Sequence, residues 1–188
     1  LIADNRIWFG PDGNNVPALK RFLSEVQEGM VPLTIWTYQE VGHNQEGIQH
    51  LKAIMGNLGD VFQTPKPARL LQRCFQIGAD SRSVILDYFA GSGTTGHAVI
   101  NLNREDGRQR KFILVEMADY FDTVLLPRIK KITFTPEWRD GKPKRMATAE
   151  EAERSPRIVK IIRLGSYEDA LNNLTFDEES GQKALELF

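Results

Sequence analysis

Cysteine is nearly absent from this sequence: Cys74 stands alone among 188 residues, which excludes an intrachain disulfide and the small secreted scaffolds that rely on one. Its neighbours Leu70, Leu71 and Phe75 fall at helical core spacing, so a buried thiol in a reducing, cytoplasmic setting is expected. No apolar run approaches the ~20 residues of a membrane span, and LIADNRIWFG lacks the basic-then-apolar layout of a signal peptide, so no membrane partner is expected. Histidine is scarce too. His43, His50 and His97 form no metal-ligand spacing with one another or with Cys74, and structural or surface roles are expected for all three. Net charge is also small, −1 overall, but unevenly spread: residues 103–145 carry eleven basic and seven acidic side chains. That excess permits contact with a polyanion through the region from Arg128 to Arg145, although the interleaved acids favour reading it as a solvated surface.

What is present reads as one α/β unit with an appended piece. RIWFG is a possible strand and PDGNN a turn. Leu19, Phe22, Leu23 and Val26 then share a helical face over 17–29, closed by Gly29. VPLTIWTYQEV suits an extended segment, and Trp8 and Trp36 read as core packing. GHNQEGIQHLKAIMG reads as a helix capped by Asn44 with Ile48, Leu51 and Met55 inward. TPKPARLLQRCFQIG reads as a helix capped by Thr64, tolerant of Pro65 and Pro67 in its first turn and stopped at Gly78. SVILDYF and KFILVE are short apolar runs expected to be parallel strands buried on both faces, joined by a helix ending near Asn101 and the polar connection NREDGRQ. MADYFDTVLLPRIKKI is helical, with Asp119 as cap and Pro127 as kink. Beyond it come a hairpin turning at Asp140 and Gly141, a capped helix in TAEEAERS, a strand in RIVKIIRL, a helix in SYEDALNNL and a partly disordered tail from Phe176.

The stretch LDYFAGSGTTGHAVI carries the chemistry. Gly91, Gly93 and Gly96 satisfy the G-x-G-x-x-G spacing of dinucleotide-binding turns, while His97, where a phosphate loop needs lysine, excludes the G-x-x-x-x-G-K-[ST] class. Glu116, at the end of the second strand, stands where a carboxylate meets the ribose hydroxyls of an adenosine; capping the following helix is its other reading, as capping the turn is for Asp87. An acid at Asp87 repels a pyrophosphate and favours a ligand carrying an ammonium group, and S-adenosylmethionine has one. Its carboxylate would suit the amides near Ser92 to Thr95, or Lys66. Glu116 lies 23 residues after Gly93, a spacing that disfavours NAD, and an NAD-dependent oxidoreductase domain remains the alternative.

DYFAGSGTTGHAV resembles the D-x-F-x-G-S-G-T-T cofactor loop of the β-group amino DNA methyltransferases, and TPKPARLL resembles the T-x-K-P-x-x-L-L segment that precedes it there. VGHNQEGIQHLKAIMG, RIWFGPDGNNVPALKRFL, LVEMADYF and RLGSYEDALNNL extend the likeness to the modification subunits of type III restriction systems. The resemblance implies a partial methyltransferase fold of Rossmann-like type with parallel strands. Asp87, Phe89, Gly91, Ser92 and Gly93 would then hold the methionine part of S-adenosylmethionine. Thr94 and Thr95 would contact its carboxylate side, Thr64 and Lys66 would close over it, and Glu116 would bind the ribose. The Asp-Pro-Pro-Tyr or Ser-Pro-Pro-Trp motif of such enzymes is missing; TPEW, at 135–138, lacks the second proline. With Leu1 in place of methionine, the chain is expected to be the cofactor-binding portion of a longer adenine-specific enzyme. Residues 1–60 would end the target-recognition region, 61–135 form the cofactor core and 136–188 an extension. DNA and the rest of the polypeptide would be its partners, with a homodimer and a restriction subunit possible. A non-catalytic assembly or DNA-positioning piece is the third reading.

Overall fold

In the computed structural model the described residues are 1–25, 29, 31–56, 62–165, 168 and 171. The centre is a parallel pair, β3 (Val84–Asp87) and β4 (Lys111–Leu114), in register from Val84 opposite Lys111 to Asp87 opposite Leu114. The crossover between them is α4 (Thr94–Asp106), as expected for a β-α-β connection. It runs past Asn101 through most of the stretch read as a connection. In its polar last turn Asn103 and Arg104 are buried and bonded inward: Asn103 Nδ2 donates to the Arg110 carbonyl (2.9 Å), and Arg104 Nη2 reaches the Ile132 carbonyl (2.7 Å). Gly107, left-handed at φ 69°, ends it.

Burial alternates along both strands, so the pair is covered on one face only. Val84, Leu86, Ile113 and Val115 are 56, 46, 51 and 42% exposed, against the expectation of strands buried on both sides. No element among the described residues packs over them. Beneath the other face lie α4 and the segment after β4, which opens as a π-turn over Phe121–Leu125 and continues as α5 (Leu126–Phe134). Asp119 immediately precedes the first helical residue, Tyr120, but among the described residues its side chain accepts no hydrogen bond from a helix N–H, so it does not cap the segment. Pro127 cannot donate to an i−4 carbonyl, and the π-turn immediately before it absorbs that break.

The core joins Leu51, Ile54 and Met55 of α2 (Asn44–Met55) to Ile100, Val124 and Ile132, with Ala90, Leu125 and Ile129 forming a second cluster under the turn after β3. Each such side chain contributes about 1.5–3 kcal/mol by leaving water. His43, not Asn44, caps α2, its Nδ1 accepting from Glu46 N–H (3.1 Å). α3 (Ala68–Gly78) starts after Pro67, three residues beyond Thr64, which is exposed; Cys74 on it is only partly buried. Gly47 is what lets α2 approach the segment before α3, since a Cβ there would lie 2.2 Å from the Pro65 carbonyl oxygen.

The N-terminal region departs furthest from its periodicity. The two-residue strands β1 (Ile7–Trp8) and β2 (Ala18–Leu19) pair antiparallel, followed by a single 3₁₀ turn at Leu23–Glu25 where a helix was expected. Leu19 and Leu23 are exposed, and Phe22 lies under the Arg6 guanidinium, itself paired with Glu25. The apolar stripe finds no core to face, and Val26 lies outside the described residues. Trp8 is half-exposed. Within the stretch read as extended, α1 (Tyr38–Val41) forms on a capping box between Thr37 and Glu40.

After α5, β5 (Trp138–Arg139) and β6 (Lys142–Pro143) make the expected hairpin, with Asp140 (φ 50°) and Gly141 (φ 77°) at its tip. α6 (Ala149–Glu153) opens on a capping box between Thr148 and Glu151. Residues 157–164, expected as a strand, have no regular structure and pair with no strand among the described residues. The expected SYEDALNNL helix and the tail from Phe176 lie outside the described residues, apart from Glu168 and Leu171, which are helical. Among the described residues no helix is long and apolar enough to cross a membrane.

Candidate ligand site at the glycine turn

Parallel pairing brings the two expected carboxylates to one end of the sheet, the carboxyl end, where open α/β sheets place their ligands. The ladder continues past both strands, with Val115 N–H donating to the Asp87 carbonyl (2.9 Å) and Ala90 N–H to the Val115 carbonyl (3.1 Å). Between them the turn 88–93 curls back. Gly93 takes the left-handed conformation (φ 80°) as the residue preceding α4, and a side chain there would meet Leu125 at 3.3 Å.

Asp87 ties the turn to the helix: Oδ1 accepts from Phe89 N–H (3.1 Å) and Oδ2 from the Thr95 hydroxyl (2.5 Å). Glu116, two residues past β4, ties the turn to the second strand. Its Oε2 accepts from Gly91 N–H (2.9 Å), and its Oε1 from the N–H groups of Met117 (2.9 Å) and Ala118 (3.0 Å). Partial burial pushes the Glu116 pKa up. The N–H groups of Ala118, Gly91 and Met117, with the Tyr120 hydroxyl, outweigh it and hold the carboxyl below its ordinary range. Four donors fill the capacity of a carboxylate. A ribose diol would therefore have to displace one of them, and Tyr120, packed edge-on against Phe62, is the one donor on a side chain.

Ser92, Thr94 and Thr95 are buried, their hydroxyls turned into the protein. The first backbone N–H groups of α4, Thr94 to Gly96, precede its first i−4 bond, His97 N–H to the Gly93 carbonyl (3.2 Å), and so lack a partner within the helix. Phe89 is 88% exposed beside the turn. Thr64 and Lys66 are exposed on the segment before α3, and among the described residues no hydrogen bond joins either to the turn. Their segment reaches it through Phe62, which packs over Gly91 and meets Tyr120 edge-on at 5.1 Å.

Phe62, Tyr120 and Arg128 belong to this neighbourhood and were not singled out from sequence. The first two are ordinary aromatics, distinguishable only once folded. Arg128 did leave a signal: it is a charge inside the apolar run VLLPRI, three residues from Leu125. It is 1% exposed, so it cannot face DNA. Lys131 bonds the Ile54 and Gly141 carbonyls and sits over Trp138, while Lys144 and Arg145 pair with Glu137, and Arg145 also with Glu151. With Arg139 beside Asp140, five of the seven basic residues between 128 and 145 thus have partners within the chain. His97 is fully buried and His50 partly, their rings 4.9 Å apart, while His43 is exposed as a cap. Among the described residues no group of side chains could hold a metal. An open groove of about 430 Å³ beside Trp36, Arg69 and Glu105 shares no residue with the turn.

A glycine turn after a parallel strand, clasped by acids at the carboxyl ends of both strands, defines an α/β protein built on a parallel strand–turn–helix–strand unit. Residues 8–125 match the model of a family described as DNA methylase, and the chain belongs to that family. It is 41% identical over 114 residues to the type III restriction-modification enzyme StyLTI Mod subunit of Salmonella typhimurium, covering 61% of this chain and 17% of that protein. The EcoP15I Mod subunit of Escherichia coli is 29% identical over 117 residues, 62% of this chain and 17% of its own. The type II methyltransferase M.KpnI of Klebsiella pneumoniae is 37% identical over 83 residues, 44% and 19% respectively. The chain spans about a sixth of the length of the curated relatives it matches.

Proposed function

We propose that this chain is the S-adenosylmethionine-binding part of a DNA adenine-N6 methyltransferase of a restriction-modification system. The observation that carries the reading is the placement of Asp87 and Glu116 at the carboxyl ends of adjacent parallel strands, each bonded into the glycine turn between them. In that reading residues 61–135 form the cofactor core of a partial methyltransferase fold, preceded by the end of a recognition region and followed by an extension. The family and the Mod-subunit relatives support it. A bound S-adenosylmethionine supplies the sulfonium methyl that is transferred. The residues here bind and orient: Glu116 takes the ribose, α4 offers N–H groups to the ligand carboxylate, and Asp87 faces its ammonium. Thr64 and Lys66 would close over the ligand.

The reaction also needs an amine held in line with the sulfonium methyl. The Asp-Pro-Pro-Tyr type motif expected to hold it is not in this sequence, so DNA, the rest of the polypeptide and a restriction subunit enter as partners, and methyl transfer belongs to the whole enzyme. The internal engagement of Arg128, Lys131, Lys144 and Arg145 speaks against the DNA-positioning alternative. Isothermal titration of the chain with S-adenosylhomocysteine and with NAD tests the reading. Saturable binding of the first and none of the second is expected; equal binding, or binding of NAD alone, would return the turn to the oxidoreductase class.

A further inference from the structure

Arg128 is a buried cation with no counter-ion among the described residues. Its side chain leaves α5 under the glycine turn, and every oxygen it reaches belongs to that turn or to the first residue of α4: Nη1 donates to the Ser92 carbonyl (3.2 Å), the Ser92 hydroxyl (2.9 Å) and the Thr94 hydroxyl (2.9 Å). Nη2 meets Nδ1 of His97 at 3.1 Å. Because a guanidinium only donates, that nitrogen is the unprotonated one, and the imidazole is neutral. No carboxylate among the described residues pairs with Arg128, and its Nε is buried without a partner. Burial pulls its pKa down to about 9, which leaves it charged at neutral pH.

A buried charge with no opposite charge is costly, and an apolar side chain would fill the same volume more cheaply. An anion arriving at the turn would change that balance. The Ser92 and Thr94 oxygens accept from Nη1, so their own hydrogens must point away from Arg128. One bridges the 3.2 Å gap between the two hydroxyls, and the other is left to donate elsewhere. The charge lies below the first turn of a thirteen-residue helix, where it adds to the positive end of the helix dipole. Shielded from solvent, it is little screened by salt.

We propose that Arg128 is a positioning residue that sets the preference of this site for a ligand bearing a carboxylate, acting through the Ser92 and Thr94 hydroxyls and the head of α4. The inference rests on the S-adenosylmethionine reading of the same turn. The test titrates the chain and its variants with S-adenosylmethionine and with decarboxylated S-adenosylmethionine, which keeps the ammonium and sulfonium and lacks only the carboxylate. Arg128→Met should weaken the first ligand about tenfold and leave the second within about twofold, the loss typical of one charge-assisted contact. Arg128→Lys, which keeps the charge without the fork, should restore part of the preference. Thr94→Val leaves the guanidinium in place and should lower the preference by about threefold, so it carries the test if Arg128→Met does not fold. Equal losses for both ligands would mean that Arg128 only supports the fold, and would overturn the inference alone. If the unmodified chain binds neither ligand, the cofactor reading falls and this inference falls with it.

Discussion

The two faces of the β3–β4 pair are made of similar apolar residues and meet different surroundings. Ile85, Phe112 and Leu114 point toward α4 and α5, on the side of Asp87 and Glu116; Val84, Leu86, Ile113 and Val115 point outward into an apolar surface that continues through exposed Tyr88, Phe89 and Met117. Parallel pairs are ordinarily covered on both faces, because their crossovers lie there. A bare face this apolar, at the very end of the sheet that carries the glycine turn, is larger than scattered surface leucines explain. The contrast separates the face that residues 1–188 bury from the face they leave exposed.

The covered face should carry the largest effect. Ile129 is 2% exposed and packs with Leu125 and Ala90 beneath the turn, so Ile129→Ala should cost about 2–5 kcal/mol in urea denaturation. A loss under about 1 kcal/mol would mean that this core is not packed as described. Gly47→Ala tests the approach of α2 to the segment bearing Thr64 and Lys66. Its Cβ would press on backbone, which gives less readily than a side chain, and about 1–3 kcal/mol is expected. Gly78→Ala, where a Cβ meets open space, should instead be neutral or stabilising by up to about 1 kcal/mol. If Gly47→Ala proves as benign as Gly78→Ala, the TPKP segment does not rest on α2.

The same contrast explains what was readable from the residues. The hairpin at Asp140–Gly141, the Thr148–Glu151 box and the strand–turn–helix around Gly93 are local chemistry, each specified within a few residues. The 17–29 helix was not, because Leu19, Phe22 and Leu23 have helical spacing but no described element to bury them. Apolar runs announced β3 and β4 without saying that one face would be bare. The carboxylates Asp87 and Glu116 were legible from their strand-end positions. Arg128 was not placed at the site, since nothing local says that a basic residue 35 positions after Gly93 returns beneath the turn.

A smaller effect, about a proton's worth, is expected from His97. Burial first, then the charges of Arg128, His50 and Arg104, hold its pKa well below 6.5; His50 is lowered by burial and Arg128, against Glu46. Each is neutral in the fold and gains a proton on unfolding below 6.5. Stability is therefore full above that pH and falls as pH drops toward the folded value, by at most about 1.4 kcal/mol per pH unit for each group. Thermal melts from pH 7.5 to 5 should show the decline, and His97→Gln should flatten it by about one proton. That window lies above the range where Glu46 and Glu116, also lowered in the fold, take up protons. An unchanged slope in His97→Gln would place the acid sensitivity elsewhere.

The smallest effect belongs to the bare face, and its smallness is the point. Leu86 is 46% exposed on β3, its neighbours across the pair, Ile113 and Val115, are equally outward, and the side chain recovers little by folding. Leu86→Thr places a β-branched, strand-compatible residue in β3 and removes apolar surface, so its cost in this chain should stay within about 0.5 kcal/mol. The informative comparison repeats the substitution in the longer polypeptide expected around this chain. If another layer of that protein covers the face, the same change there should cost roughly 2 kcal/mol or more, because a hydroxyl would be buried where a leucine had been. A large cost already in residues 1–188 would show that the face is covered within this chain or by a second copy, which dilution of the sample would separate. Equal, negligible costs in both would mean that the outer face of the parallel pair stays open to water and that the covering element lies elsewhere on the sheet.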